Sequence, residues 1–158
     1  MEIVNIKKIR GRKKYIEDVA RLMCELWNES DVDAFCFHIK GCLRHDYSIL
    51  VAYLNDEPVG YIELNITISY EEKFSQFPIM YICGLYVSPY FRKQGVASEL
   101  IKEAENYARE KYCTRLASDY FDYNIPSANL HEKMGFKITS RRVNVIKDIP
   151  NSIIEKEQ

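Results

Sequence analysis

Beginning at Tyr15, apolar side chains recur every three or four positions, at Ile16, Val19, Ala20, Met23, Leu26 and Trp27. At 3.6 residues per turn those positions share one face, so the stretch reads as an amphipathic helix. Residues 30–33 supply caps for a second helix, with Phe35, Cys36, Ile39, Cys42 and Leu43 on its apolar face. The period then shortens. Residues 47–54 and 59–69 are β-rich, and Asn55-Asp56-Glu57-Pro58 between them is a turn sequence, which predicts an antiparallel hairpin. Pro78 is expected to punctuate the start of a third apolar strand over 79–87. Helical spacing returns at Val96, Leu100, Ile101, Ala104, Tyr107 and Ala108. A short strand over 114–118 follows, then a helix from Pro126 to Met134 stopped by Gly135. Residues 2–9 alternate weakly as a first strand, and 136–149 are expected to supply one or two last ones. The order β-α-α-β-β-β-α-β-α-β predicts an α/β fold with an α+β mixed sheet covered by helices. A single parallel βαβ unit is expected around the long helix.

Composition narrows the class. A chain of 158 residues predicts one domain, 1–158, able to bury a core without disulfides or metal. Hydrophobic residues make 47% and charged residues 28%, an ordinary globular balance. With 22 basic and 23 acidic residues the net charge is −1, which excludes a nucleic-acid binder working through bulk charge. The basic cluster Lys7, Lys8, Arg10, Arg12, Lys13 and Lys14 reads as a solvated loop and helix start. Cys24, Cys36, Cys42, Cys83 and Cys113 form no CxxC pair, and no histidine stands out at metal-ligand spacing, so no metal is expected. An odd count of thiols and a start without a secretory design predict reduced cysteines in the cytoplasm. No apolar stretch approaches the ~18 residues of a membrane span.

Chemistry concentrates in residues 84–97, Gly-Leu-Tyr-Val-Ser-Pro-Tyr-Phe-Arg-Lys-Gln-Gly-Val-Ala. A strand ends at Val87, and a basic turn with a glycine opens directly into the long helix. Such a junction aims backbone N–H groups outward at the positive end of a helix dipole, as a phosphate or pyrophosphate site requires. Arg92 and Lys93 add charge there, Gly95 admits a bulky anion and Ala97 leaves it room. The stretch matches neither GxxxxGK[ST] nor GxGxxG, and a plain strand-to-helix turn has the same local pattern.

The run Arg92-Lys93-Gln94-Gly95-Val96-Ala97 resembles the acetyl-CoA motif Q/R-x-x-G-x-G/A of the GNAT N-acetyltransferase superfamily. Gly84 to Pro89 looks like the usual lead-in, and Asn124, Ala128 and the run from Leu130 to Phe136 are similar to the signature N-x-x-A-x-x-L-Y-E-K-x-G-F. Within the superfamily the chain looks most like the aminoglycoside 6'-N-acetyltransferases. The likeness rests on the Trp27-containing first helix, on Tyr70, Pro78 and the run to Val87, and on Ala117-Ser118-Asp119 with Asn124 and His131 beyond. One departure stands out: Cys83 lies where those enzymes often carry an acidic residue that helps bind the cationic sugar.

The resemblance implies a GNAT fold whose sheet splays at an acetyl-CoA site, with direct acetyl transfer to a primary amine. It assigns Leu85, Tyr86 and Val87 to the pantetheine arm and the Leu85 N–H to the thioester carbonyl. Arg92, Lys93, Gln94, Gly95, Val96, Ala97 and Ser98 fall at the pyrophosphate, with Asn124 and Ala128 also at the cofactor. Trp27, Glu72, Cys83 and Asp119 fall to the acceptor. An alkyl ammonium of pKa ~10 must lose a proton before it attacks. Asp119, at the end of the fifth strand, is the leading base, with a counter-ion or a turn cap as its other readings; Glu63 is a second candidate. For the leaving thiolate, His131 stands where many GNAT enzymes place a tyrosine; it is either a donor or a packed helix residue, and Tyr120 and Tyr123 are nearby hydroxyls. Cys83 as a nucleophile lacks a visible activating pair. An acidic cleft for a polyamine would draw on Asp31, Asp33, Glu71, Glu72, Asp119 and Asp122, with Glu71-Glu72 either overhanging it or solvated.

The expected partner is a small-molecule amine, in the setting of antibiotic resistance, with no nucleic acid and no membrane. A protein N-terminus, a lysine or a metabolite amine is the alternative acceptor, and a non-catalytic acyl-CoA sensor the alternative class. Many GNAT relatives dimerise through strands near the C-terminus, so a homodimer using Val143, Val145 and Ile146 is expected.

Overall fold

The computed structural model describes residues 2–70 and 73–150. In chain order it forms β1 (Asn5–Lys8), α1 (Lys13–Trp27), α2 (Val32–Arg44), β2 (Ser48–Leu54), β3 (Glu57–Tyr70) and β4 (Lys73–Val87). A 3-10 turn at Pro89–Phe91 leads to α3 (Val96–Glu110), β5 (Arg115–Ala117) and α4 (Ile125–Lys133). The strands make one sheet in the order β1-β2-β3-β4-β5. Neighbours are antiparallel up to β4, and β4 runs parallel to β5 through the α3 crossover, as the element order predicts.

Strand alternation divides the core in two. Leu50, Ala52 and Leu54 of β2 enter the core under α3, whereas Ile49, Val51 and Tyr53 enter the core under α1. A strand covered on both faces loses its polar positions, and all seven β2 residues are buried. Leu100, Ile101 and Ala104 hold α3 on one face of the sheet; Val19, Ala20 and Leu22 hold α1 on the other. Truncating a side chain as buried as Leu100 to Ala costs about 2–5 kcal/mol. Asp18 is buried yet paired: the Tyr53 hydroxyl donates to it at 2.6 Å and the Lys14 ammonium at 2.9 Å.

Two expectations are corrected. Pro78 does not start a strand, because β4 begins at Lys73 and runs through it. Pairing with β3 jumps from Ser69↔Phe74 to Thr67↔Ile79, so Pro78 lies in an irregular stretch where its missing N–H breaks no ladder. The last strands expected over 136–149 do not form within the described chain; residues 136–150 contain none. A strand exists only against a neighbour, and the adjacent edge strand, β5, is three residues long. Val143, Val145 and Ile146 are consequently 85–97% exposed.

Candidate active site

Three breaks in regularity shape the site. The first is a bulge: Glu63 pairs with Gly84 and Leu64 with Ile82, which leaves Cys83 without a partner. An extra residue reverses the strand's phase, and the α3-side core accordingly receives Met80 and Ile82 before the bulge but Leu85 and Val87 after it. Ile62, Leu64 and Ile82 face that core, so Glu63, Tyr81 and Cys83 turn to the opposite face, the one covered by α1 and α2.

The second break is a parting of strands. β4 and β5 pair only over Ile79–Tyr81 and Arg115–Ala117; beyond them β4 keeps its pairing with β3 to Val87, while its β5-side edge has no strand partner among the described residues. Its open edge carries Leu85, Tyr86 and Val87. Gly60 allows β3 to close against this end of β4, since a Cβ there would lie 2.7 Å from the Tyr86 carbonyl oxygen. Glu25 of α1 fastens the same end by accepting from the Ser88 hydroxyl at 2.6 Å and the Tyr86 hydroxyl at 3.3 Å. Two residues on, Trp27 ends α1 with its indole 65% exposed.

The third is the turn into α3. Lys93 and Gly95 both take positive φ, 60° and 85°, and Gly95 is the N-cap with no side chain bonded to the helix end. The first N–H groups of α3, those of Val96, Ala97 and Ser98, therefore point outward without intrahelical partners, and the ladder starts with the Glu99 N–H donating to the Gly95 carbonyl at 3.0 Å. A Cβ on Gly95 would meet nothing within 4 Å, so the space over the helix end is open. Arg92 donates from Nε to the Val87 carbonyl at 2.8 Å, and Gln94 from its amide to the Tyr90 carbonyl at 3.0 Å. These side chains brace the turn and leave the backbone donors exposed.

Beside the end of β5, the Tyr81 hydroxyl donates to Asp119 at 2.5 Å, and the Tyr70 hydroxyl to the Ser118 carbonyl at 2.9 Å. Burial, then the Asp119 contact, raises the Tyr81 pKa, so the phenol stays a donor. Cys83 is exposed at the surface, yet the groups crowded around its thiol push it up to about 12, through partial desolvation and then through Glu63, Cys42 and Asp119. A thiol so held is not a nucleophile near neutrality. Burial also raises the Glu63 carboxyl above the ordinary glutamate range, against the lowering effects of His38 and the Cys42 thiol. A carboxyl shifted that way keeps its proton to a higher pH than an ordinary glutamate. Asp119, Tyr81, Cys83 and Glu63 thus line the sheet from β5 to β3, and no spacing in the sequence announces the set.

His131 is buried, with both ring nitrogens engaged: Nδ1–H donates to the Ser127 carbonyl at 2.7 Å, and Nε2 accepts from the Ser118 hydroxyl at 2.9 Å. Its ring packs against Tyr120 and Phe136. Tyr123 is 78% exposed and stacks on Phe121. Asn124 caps α4 by accepting from the Ser127 N–H at 3.2 Å, and half-buried Ala128 follows one turn later. Glu71 and Glu72 lie outside the described residues. The expectation of no histidine at ligand spacing is also corrected: His38 and Cys42 are four apart on α2, where Cys42 Sγ lies 3.4 Å from His38 Nε2. Surface hollows of about 380 and 670 Å³ are lined by other residues, the smaller by Ile6, Tyr53 and Asn55 among others and the larger by Lys8, Ser48 and Tyr107 among others.

Comparison with known proteins identifies the family and the fold. Residues 12–136 match the acetyltransferase (GNAT) family. An aminoglycoside N(6')-acetyltransferase type 1 of Acinetobacter haemolyticus is 30% identical over 85% of this chain and 92% of its own length. A protein of the same name from Klebsiella aerogenes is 34% identical over 73% of this chain and 78% of its own. Among solved structures, AAC(6')-Iy in complex with the bisubstrate analog CoA-S-monomethyl-acetylneamine superposes with a TM-score of 0.81 at 25% identity. That match covers 93% of this chain and 99% of the other.

Proposed function

Because this chain belongs to the GNAT acetyltransferase family, we propose that it moves the acetyl group of acetyl-CoA directly to the 6'-amine of an aminoglycoside antibiotic. The observation that carries the reading is the parting of β4 from β5 beside an uncapped α3 N-terminus. The relatives named above as aminoglycoside acetyltransferases support the choice of acceptor.

The open edge of β4 fits an extended amide-bearing arm, with Leu85, Tyr86 and Val87 pairing as a missing strand would. Backbone N–H groups from Lys93 to Ser98 fit a pyrophosphate, in the space that Gly95 leaves clear. Bound acetyl-CoA supplies the thioester that is attacked. The Leu85 N–H polarises the carbonyl under attack; one such donor is worth on the order of 3 kcal/mol in the barrier.

Asp119, held by Tyr81, either takes the ammonium proton or anchors the acceptor's charge. Glu63 sits across the bulge from Cys83 and restores the acid that Cys83 replaces. Trp27 borders the acceptor, and Glu72 adds negative charge to it. His131 holds Ser118 and so fixes the approach to Asp119, which leaves protonation of the departing thiolate to Tyr120, Tyr123 or solvent. Residues 1–158 act as one domain in the cytoplasm; among the described residues no helix is long and apolar enough to cross a membrane. The exposed apolar run of Val143, Val145 and Ile146 favours a homodimer that covers it, which light scattering on the purified protein tests.

Release of CoA thiol from acetyl-CoA against kanamycin, tobramycin, spermidine, lysine and short peptides tests the function. Rapid release with sugars bearing a 6'-amine and none with 6'-hydroxyl sugars is the expected result. Release with another amine alone would move the protein to a second reading, an N-acetyltransferase for a peptide or metabolite amine. That reading draws on Cys83 standing in place of an acid. Binding of acetyl-CoA without release to any amine would mark a sensor.

A further inference from the structure

His38 and Cys42 lie four residues apart on α2 and so share one face of the helix. Ile39 between them is fully buried in the α1-side core, which fixes where that face points. Across from it lies Glu63 on β3, and His38, Cys42 and Glu63 each have a donor atom within 4.8 Å of the other two. Cys42 Sγ and His38 Nε2 are already 3.4 Å apart. In a tetrahedral zinc site, bonds of ~2.0–2.3 Å put donor atoms roughly 3.3–3.8 Å apart, so closure needs about 1 Å of side-chain motion. His38 is exposed, and Cys42 and Glu63 are half-buried, so that motion disturbs no packed core residue.

We propose that His38, Cys42 and Glu63 form a binding site for zinc or a similar divalent transition metal, with a fourth position open to solvent. Imidazole, thiolate and carboxylate together suit a borderline-soft ion; calcium and magnesium take oxygen ligands. Binding displaces the Cys42 thiol proton to solvent as the Sγ–metal bond forms, with no change in oxidation state. The metal also takes the Glu63 carboxylate. On the acetyltransferase reading, on which this consequence rests, it competes with a cationic amine at the acceptor end.

Cobalt(II) added to the whole protein provides the test, because a four-coordinate thiolate site gives a sulfur-to-cobalt charge-transfer band and intense ligand-field bands. The expected result is one equivalent bound and displaced by zinc. His38→Ala and Cys42→Ser should each weaken binding at least tenfold, with thermal midpoints near wild type. Glu63→Gln, tested alongside, should weaken it as much. Absence of the charge-transfer band, or binding unchanged in the His38 and Cys42 variants, would overturn the site whatever the enzyme acetylates. Zinc should raise the KM for the amine in the wild type and not in Cys42→Ser; equal KM values with and without zinc would overturn the competition.

Discussion

The proposed cofactor end of the site runs from Leu85 to Ser98 along one unbroken stretch of chain and offers mainly backbone. The proposed acceptor end gathers Glu63 from β3, Cys83 and Tyr81 from β4 and Asp119 from beyond β5, and offers side chains. The first end is built from geometry: a strand that outruns its β5 neighbour, and a helix whose N-cap is a glycine at φ 85°. At the second, the chemistry depends on which residues tertiary packing brings together. A backbone site tolerates wide sequence change so long as the turn keeps its shape. A side-chain site changes its ligand with single substitutions. One protein can therefore keep its acetyl donor while its acceptor drifts.

Breaking the cofactor end should have the largest effect. Gly95→Val puts a β-branched residue at φ 85°, where L side chains are strained, and the turn will relax by swinging the first α3 N–H groups away. Two lost hydrogen bonds to a charged ligand at about 1.5 kcal/mol each predict roughly a hundredfold weaker acetyl-CoA binding by calorimetry. Normal affinity would remove the α3 terminus from the site. At the acceptor end, Tyr81→Phe removes the hydroxyl that holds Asp119. A loss of about 1 kcal/mol predicts a roughly fivefold fall in kcat/KM for the amine, with acetyl-CoA affinity unchanged.

The smallest effect sharpens the contrast by separating stability from activity. Glu63 carries a carboxyl whose folded pKa is raised, so the folded state binds more protons than the unfolded one. Its ionisation costs no stability below the ordinary glutamate value of about 4.3, and the cost grows as pH climbs toward the folded value. Glu63→Gln should therefore raise the thermal midpoint by roughly 2–4 °C per kcal/mol regained, with the gain vanishing in acid. The same variant should lower turnover. A midpoint that fails to rise toward neutrality would mean that burial does not strain this carboxyl.

What was legible in the sequence follows the same division. The α3 face, the β2–β3 hairpin and the turn at Gly95 are local patterns, and the structure forms them within a few residues of expectation. Pro78 misleads because a proline stops a strand only where its N–H is needed, and the irregular pairing near Thr67 and Ser69 removes that need. The run over 136–149 alternates like a strand, but the β5 edge is only three residues long. Glu63 is one of two candidate bases, and alternation alone leaves its direction open. The bulge at Cys83, invisible in any hydropathy pattern, aligns the two residues. His38 and Cys42 are a helical i,i+4 pair that stands out only once Glu63 is placed opposite. Glu25 carries no motif at all; its bonds to Ser88 and Tyr86 arise from packing between residues more than sixty apart.

The most direct test of two separately built ends is Asp119→Asn, measured for acetyl-CoA affinity and for amine turnover in the same preparation. The account expects turnover at least tenfold lower, about 1.4 kcal/mol, with acetyl-CoA affinity nearly unchanged. Unaltered turnover, or affinity falling in step with it, would contradict the account.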